Sequence, residues 1–152
     1  MTQEEKDLLL KDLCGRLNTN LVCSIYRTDD EGVGYRDEIL HGYCKGDIWY
    51  EFYFREDCSI SIDNVSKIKP YLLPLSSMTE EQCYDFYCRF VENEIDYDDF
   101  KKYYFDEGRW HKLLTSIDDC ERVVDWFNKN HFDNRGLIPM GLANDATNKN
   151  IY

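Results

Sequence analysis

The sequence predicts an α+β fold on three observations. Leu10, Leu13, Cys14 and Leu17 recur on one helical face near the start. Residues 21–65 break into short alternating runs separated by polar turns. Beyond Pro74, Cys83, Phe86, Tyr87, Phe90 and Val91 return to helical spacing. The expected order is an N-terminal helix, an antiparallel meander of about four strands able to curl like a small barrel, then a helical C-terminal half.

Each element has its own signals. Thr2 and Glu5 have capping-box spacing, Gly15 weakens the last turn of the first helix, and Asn18–Asn20 ends it. "LVCSIYR" (Leu21 to Arg27) is β-branched and aromatic, "TDDEGVG" reads as a polar loop, and "EILHGYC" leads to a tight turn at Lys45–Asp47. In "IWYEFYF", Ile48, Tyr50, Phe52 and Phe54 share one face, while Trp49, Glu51, Tyr53 and Arg55 share the other. "CSISIDNV" (Cys58 to Val65) continues the alternation after a second turn. Pro70 and Pro74 then remove two backbone donors and favour extended geometry, so residues 69–79 read as a crossing from sheet to helix. Thr79 and Gln82 form a second capping box, with Met78 and Cys83 placed as a hydrophobic staple. A short helix is expected from Asp98 towards Gly108, and a last one from about Ser116 to Asn130 burying Ile117, Cys120, Val123, Val124 and Phe127. "HFDNRGLIPMGLA" (His131 to Ala143) reads as an ordered apolar closing segment.

These elements group as a single domain over residues 1–143: helix and meander through 68, the crossing at 69–79, and a helical part over 80–143. Both halves are expected to share one core, because neither is large enough alone. Residues 144–152 are expected to be a loose tail.

Composition narrows the function. The chain has 152 residues, 43% hydrophobic and 15% aromatic, which is ample for a core. Its net charge of −12 repels phosphate backbones and acidic membrane surfaces, and Lys and Arg nowhere cluster. Direct nucleic-acid binding is therefore not expected. No apolar run nears the roughly 18 residues of a membrane span. The N-terminus lacks a basic start, apolar run and cleavage site, so the seven cysteines read as reduced, mostly buried thiols of a cytoplasmic protein.

No catalytic motif emerges. There is no nucleophile elbow and no glycine-rich phosphate loop, and His41, His111 and His131 lack metal-ligand spacing. Asp96, Asp98, Asp99 and Glu107 suggest a calcium loop until Phe100 and Lys101 fall where an oxygen ligand and a glycine are needed. No metal, cofactor or catalytic residue is expected. Two surfaces stand out instead. Trp49 and Tyr53, beside Tyr43 or Tyr26 on neighbouring strands, would make an aromatic patch on a sheet, unless a C-terminal helix covers that face as a second layer of core. Glu92, Glu94, Asp98 and Asp99 belong to a stretch, Glu80 to Asp99, with eight acidic residues and one basic.

Three segments bear a resemblance. "EEKDLLLKDLCGRL" (Glu4 to Leu17), "IKPYLLPLSSMTEEQ" (Ile68 to Gln82) and "VDWFNKNHFDNRGLIPMGLA" (Val124 to Ala143) resemble stretches of small uncharacterised proteins from gut Bacteroides species and their phages or mobile elements. The resemblance implies an intracellular bacterial or phage origin and carries over no functional residues. With the acidity and the aromatic strand, it makes a non-enzymatic accessory protein that binds another protein the leading expectation. The alternatives are an acidic decoy imitating nucleic acid before a defence or DNA-binding protein, and a small enzyme with an unrecognised Cys–His or carboxylate site.

Overall fold

The computed structural model describes residues 1–29, 32–45, 50–55, 58–91, 95–102 and 120–152. Helix α1 (Gln3–Gly15) opens as its spacing predicts. The Thr2 hydroxyl accepts from the Glu5 N–H at 3.2 Å, and the Glu5 carboxylate accepts from the Thr2 N–H at 2.6 Å. Its buried face is turned by about one residue from the expected stripe: Leu9, Asp12, Leu13 and Arg16 are inside, whereas Cys14 is exposed. A polar pair therefore belongs to the interior side of this helix, which a purely apolar periodicity cannot show.

The strands curl into a half-barrel, so the α+β class and the order of helix before strands before helices hold. Strand β1 (Val22–Asp29) pairs antiparallel with β2 (Gly32–Ile39) from Val22↔Ile39 to Asp29↔Gly32. Most of the expected loop at 28–34 is thus strand. A backbone ladder tolerates polar, exposed side chains, and Gly32 takes the positive φ (+124°) that follows the turn. The His41 N–H donates to the Tyr53 carbonyl at 2.8 Å and hands the chain to a second sheet. That sheet, β3 (Gly42–Lys45), β4 (Tyr50–Arg55) and β5 (Cys58–Ser61) in that order, holds the later part of the expected meander, whose first strand, over 21–27, lies in the other sheet. Phe52 and Phe54 face the core as their alternation requires. The expected run to Val65 stops early, because the Ser61 hydroxyl accepts from the Asp63 N–H (3.4 Å) and opens a 3-10 helix, Ile62–Lys67.

The Pro-containing crossing is itself part of a sheet. Strand β6 (Ile68–Leu72) returns to pair with β1, Cys23 opposite Pro70, giving the order β2-β1-β6-β7. Strand β7 (Asn144–Asp145) lies parallel to β6 and begins only opposite Tyr71, so Pro70 has one neighbouring strand at its level. Leu9, Leu13, Cys23, Ile25, Leu40, Phe52, Phe54, Val65, Ile68, Leu72 and Leu137 form the core of this part.

The single domain expected over 1–143 divides differently. One compact unit comprises Met1–Pro74 and Phe127–Tyr152, the other Leu75–Trp126, with the first boundary inside the crossing. In the second unit, Thr79 caps α2 (Glu80–Phe90) through the foreseen box with Gln82, and Met78 and Cys83 are buried as a staple requires. Asp96 caps the short helix α3 (Tyr97–Phe100) by accepting from the Asp99 N–H at 2.9 Å. Phe100 is fully buried between the rings of Tyr84 (5.3 Å) and Tyr87 (5.2 Å), and Phe86 meets Trp126 edge-on at 5.1 Å. Helix α4 (Cys120–Lys129) buries Val123, Trp126, Phe127 and Asn128, while Val124 is half-buried. Ile117, Tyr103 and Tyr104 lie outside the described residues.

The polar interior of the first unit centres on Arg16. Its guanidinium, fully buried, meets the fully buried Asp12 carboxylate at 2.8 and 3.0 Å, and also donates to the Phe132 carbonyl (2.7 Å) and the Asn128 carbonyl (3.4 Å). Arg135 approaches Asp12 from another side at 3.3 Å. Gly15 has its reason here: Asn128 Nδ2 donates to the Gly15 carbonyl (3.1 Å), and a Cβ at position 15 would stand 2.9 Å from that nitrogen.

The tail expected to be loose is held at several points. Ala146 is buried and its N–H donates to the Leu72 carbonyl (2.8 Å). Lys149 donates to Asp37 (3.1 Å), Tyr152 donates to the Tyr71 carbonyl (2.6 Å), and the Tyr152 ring stacks on His131 at 3.8 Å. The polar composition of 144–152 hides this, since each anchor is a single side chain or backbone group and no periodic face exists. Burial, aided by the nearby Arg16 charge, lowers the His131 imidazole to about 4.

Two predictions follow from these interior groups. Arg16→Met leaves the buried Asp12 carboxylate with Arg135 alone and should cost ~3–5 kcal/mol in urea unfolding, with Asp12→Leu added to it recovering part of the loss. A cost under ~1 kcal/mol would show that the pair ties nothing down. His131 binds its proton at about 4 when folded and near its ordinary 6.5 when unfolded, so stability is full above that value and falls as pH drops through this window. His131→Phe, which keeps a ring against Tyr152, should flatten that fall when unfolding is compared at neutral and acidic pH.

Candidate functional site

The alternation along β1, β2 and β6 defines two faces of the four-stranded sheet. Cys23, Ile25, Ile68 and Leu72 point to the core. Residues paired opposite one another share a face, so Ser24, Asp37 and Lys69 form one row of the outer side, and Tyr26 and Tyr35 the next. The Tyr26 and Tyr35 rings meet edge-to-face at 5.2 Å. Along β2 the outer row reads Val33, Tyr35, Asp37, Ile39, and its apolar members are 66, 60 and 40% exposed. Tyr26 beside them is 36% exposed. The result is an apolar patch of Val33, Tyr35 and Tyr26 at one edge of the sheet, separated from Ile39 by Asp37.

Next to it lies a cleft of about 540 Å³ between Ser24, Tyr35, Lys69 and Tyr71 on the strands and Asn144, Asp145 and Lys149 on the closing segment. Tyr71 donates to Asp37 Oδ1 (2.9 Å) and accepts from Lys149 Nζ (2.6 Å), and Lys149 also donates to Asp37 Oδ2 (3.1 Å). The hydrogen bonds to Tyr71 and then Asp37 raise the Lys149 ammonium above its ordinary value. This closed triangle fixes three charged or polar groups against one another. Lys69 has no ion-pair partner among the described residues. The cleft thus offers apolar contact on one side and hydrogen-bonding groups of both kinds on the other. No thiol or imidazole is among its described lining residues; of its two phenols Tyr71 is engaged with Asp37 just outside the lining, and its carboxylate, Asp145, accepts from the Thr147 N–H and hydroxyl.

The residues singled out from the sequence are dispersed. Tyr43 on β3 opposes Phe52, its ring 5.7 Å away, and is 37% exposed. Tyr53 on β4 opposes Gly42 and Ser59 on the other face, where its hydrogen bond with Cys44 raises its phenol. The two tyrosines therefore do not form one patch. Trp49, Glu92 and Glu94 lie outside the described residues. Asp98 and Asp99 are exposed in the first turn of α3. Other carboxylates of that acidic stretch have local duties: Glu80 pairs with Lys101 (3.0 Å), Asp85 takes Arg89 (2.7 Å) and Trp126 Nε1 (3.1 Å), and Asp96 is a cap. Among the described residues no three His, Cys, Asp or Glu side chains gather as a metal site needs, and no helix is long and apolar enough to cross a membrane.

The strip on β2 escaped sequence reading because two glycines and a run of charges mask its alternation, although Val33, Tyr35 and Ile39 keep the period of two. Comparison with protein-family models, with curated proteins and with solved structures finds no match.

The thiols correct one expectation. Five described cysteines are free, but only Cys23 and Cys83 are buried, while Cys14, Cys44 and Cys88 are exposed. Cys14 falls just beside the buried face of α1, and Cys44 lies on the same face as Glu51, its cross-strand partner. Desolvation raises the Cys83 thiol to about 11 and the Cys23 thiol further still. Site-resolved alkylation of the native protein should label Cys44 and Cys88 quickly and Cys23 and Cys83 only on unfolding. Equal rates at Cys23 and Cys44 would contradict the core packing.

Proposed function

We propose that this chain is a non-enzymatic accessory protein that binds another protein, with the outer face of the four-stranded sheet as its contact surface. The observation that carries this reading is the exposed apolar patch Val33, Tyr35 and Tyr26, with Ile39 beyond Asp37, set against a cleft rich in hydrogen-bonding groups. An apolar centre with a polar margin is how protein interfaces are built, and a tyrosine is a favoured anchor. Lys69 and Lys149 balance Asp37 and Asp145 across the cleft, so this surface does not share the strong acidity of the whole chain. The net charge of −12 acts at longer range, steering a basic partner towards encounter.

The test is a photo-cross-linking side chain placed at Tyr35, with a control at Asp98, in cells that carry the protein naturally. A discrete adduct should form at position 35, competed by unlabelled protein but not by Tyr35→Ala or Val33→Asp protein. Loss of affinity on Tyr35→Ala should be on the order of 30-fold, as for a central anchor. An adduct confined to position 98 would move the role to the acidic surface and favour the decoy reading. Equal competition by the variants would remove the sheet face from consideration.

A further inference from the structure

A second concavity of the first unit shares no lining residue with that cleft. It measures about 280 Å³ and lies where the end of β1 meets β5 and the following 3-10 helix. Its described polar side chains are those of Arg27, Thr28, Ser59, Ser61, Asn64 and Lys67, with Tyr26 and Ile60 completing the wall. In a chain of 30 acidic and 18 basic residues, this pocket gathers two cations and no carboxylate among its described lining. Every one of those polar groups can donate a hydrogen bond.

We propose that this pocket binds the oxyanion of a small phosphate monoester. Arg27 reaches the buried Glu38 carboxylate at 3.7 Å, which positions its guanidinium from the protein side. Lys67 has no ion-pair partner among the described residues, so its ammonium is available to a ligand. The Ser61 oxygen already accepts from the Asp63 N–H (3.4 Å), which leaves its hydrogen to be donated. Donors of this number suit a group with three acceptor oxygens better than a carboxylate with two, and a divalent cation finds no anionic ligand. The overall negative charge affects encounter more than it affects the bound state: beyond about 8 Å exposed charges are largely screened at physiological ionic strength, whereas the pocket's donors act at contact. The volume admits a phosphoryl group with a small carrier and excludes a macromolecule as the buried part. This site meets the interaction surface proposed above at Tyr26, but its polar groups belong to neither the apolar patch nor its cleft, so either reading can fail alone.

The experiment is a titration of the isotope-labelled full chain, following backbone amide shifts with inorganic phosphate, ribose 5-phosphate and O-phosphoserine, and with acetate as the control. Saturable shifts should centre on Thr28, Ser59, Ser61 and Asn64, tighter for the phosphates than for acetate. Lys67→Gln should weaken phosphate binding about fivefold or more, and Lys67→Arg should restore most of it. Lys67 is exposed, so both variants fold, and their spectra verify this. Whichever phosphorylated probe binds tightest names the carrier. Shifts that do not saturate by about 10 mM, an equal response to acetate, or unchanged binding in folded Lys67→Gln protein would each overturn the proposal.

Discussion

A buried guanidinium organises the first unit. Arg16 leaves the last turn of α1 with its charge met by Asp12 one turn earlier, and spends its remaining donors on carbonyls more than a hundred residues away. Taking such a pair out of water is costly, and it is tolerated only because nearly every donor finds an acceptor. That requirement positions Asn128 and Phe132, and through them the segment that carries Asp133, whose carboxylate collects the Leu137 and Ile138 N–H groups at 2.8 Å. Leu137, Leu142 and Ala143 can then complete the core begun by Leu9 and Leu13. The hydrophobic effect supplies most of the stabilisation, but the polar pair selects which carbonyls, and so which turn of chain, close the core.

What was legible in the sequence was local. Both capping boxes, the apolar strand faces of Phe52 and Phe54, and the helix starts at Gln3 and Glu80 are written in a few neighbouring residues, and the structure keeps them. Whatever depends on distant partners was not legible. The strand identity of Ile68–Leu72 requires β1, because two prolines alone describe an extended chain equally well as crossing or strand. The burial of Asp12 and Arg16 requires the carbonyls of Asn128 and Phe132. Val33 and Tyr35 look like loop residues until the ladder with β1 extends past them. The same limit explains the site: the sequence pointed to aromatic residues on a strand of the second sheet, whereas the exposed strip lies on the first.

The two surfaces proposed for binding differ from the core in what holds them. The outer sheet face is shaped by a ladder whose hydrogen bonds are indifferent to side chains, so its residues are free to serve contact. The Tyr71–Asp37–Lys149 triangle joins this face to the closing segment, so changes made for recognition at one side of the cleft would be felt at the other.

Strand β7 is only two residues long, yet it pairs the far side of β6 at Tyr71 and Leu72. An uncovered strand in that place would present unpaired N–H and C=O groups to any other extended chain, and the next molecule of the same protein is the most abundant candidate. Lys149, Tyr152 and the Ala146 N–H hold that short strand down far more firmly than two ladder residues could. Residues 144–152 therefore cover an edge that would otherwise be open to self-pairing: without them the protein should keep most of its core and aggregate more readily.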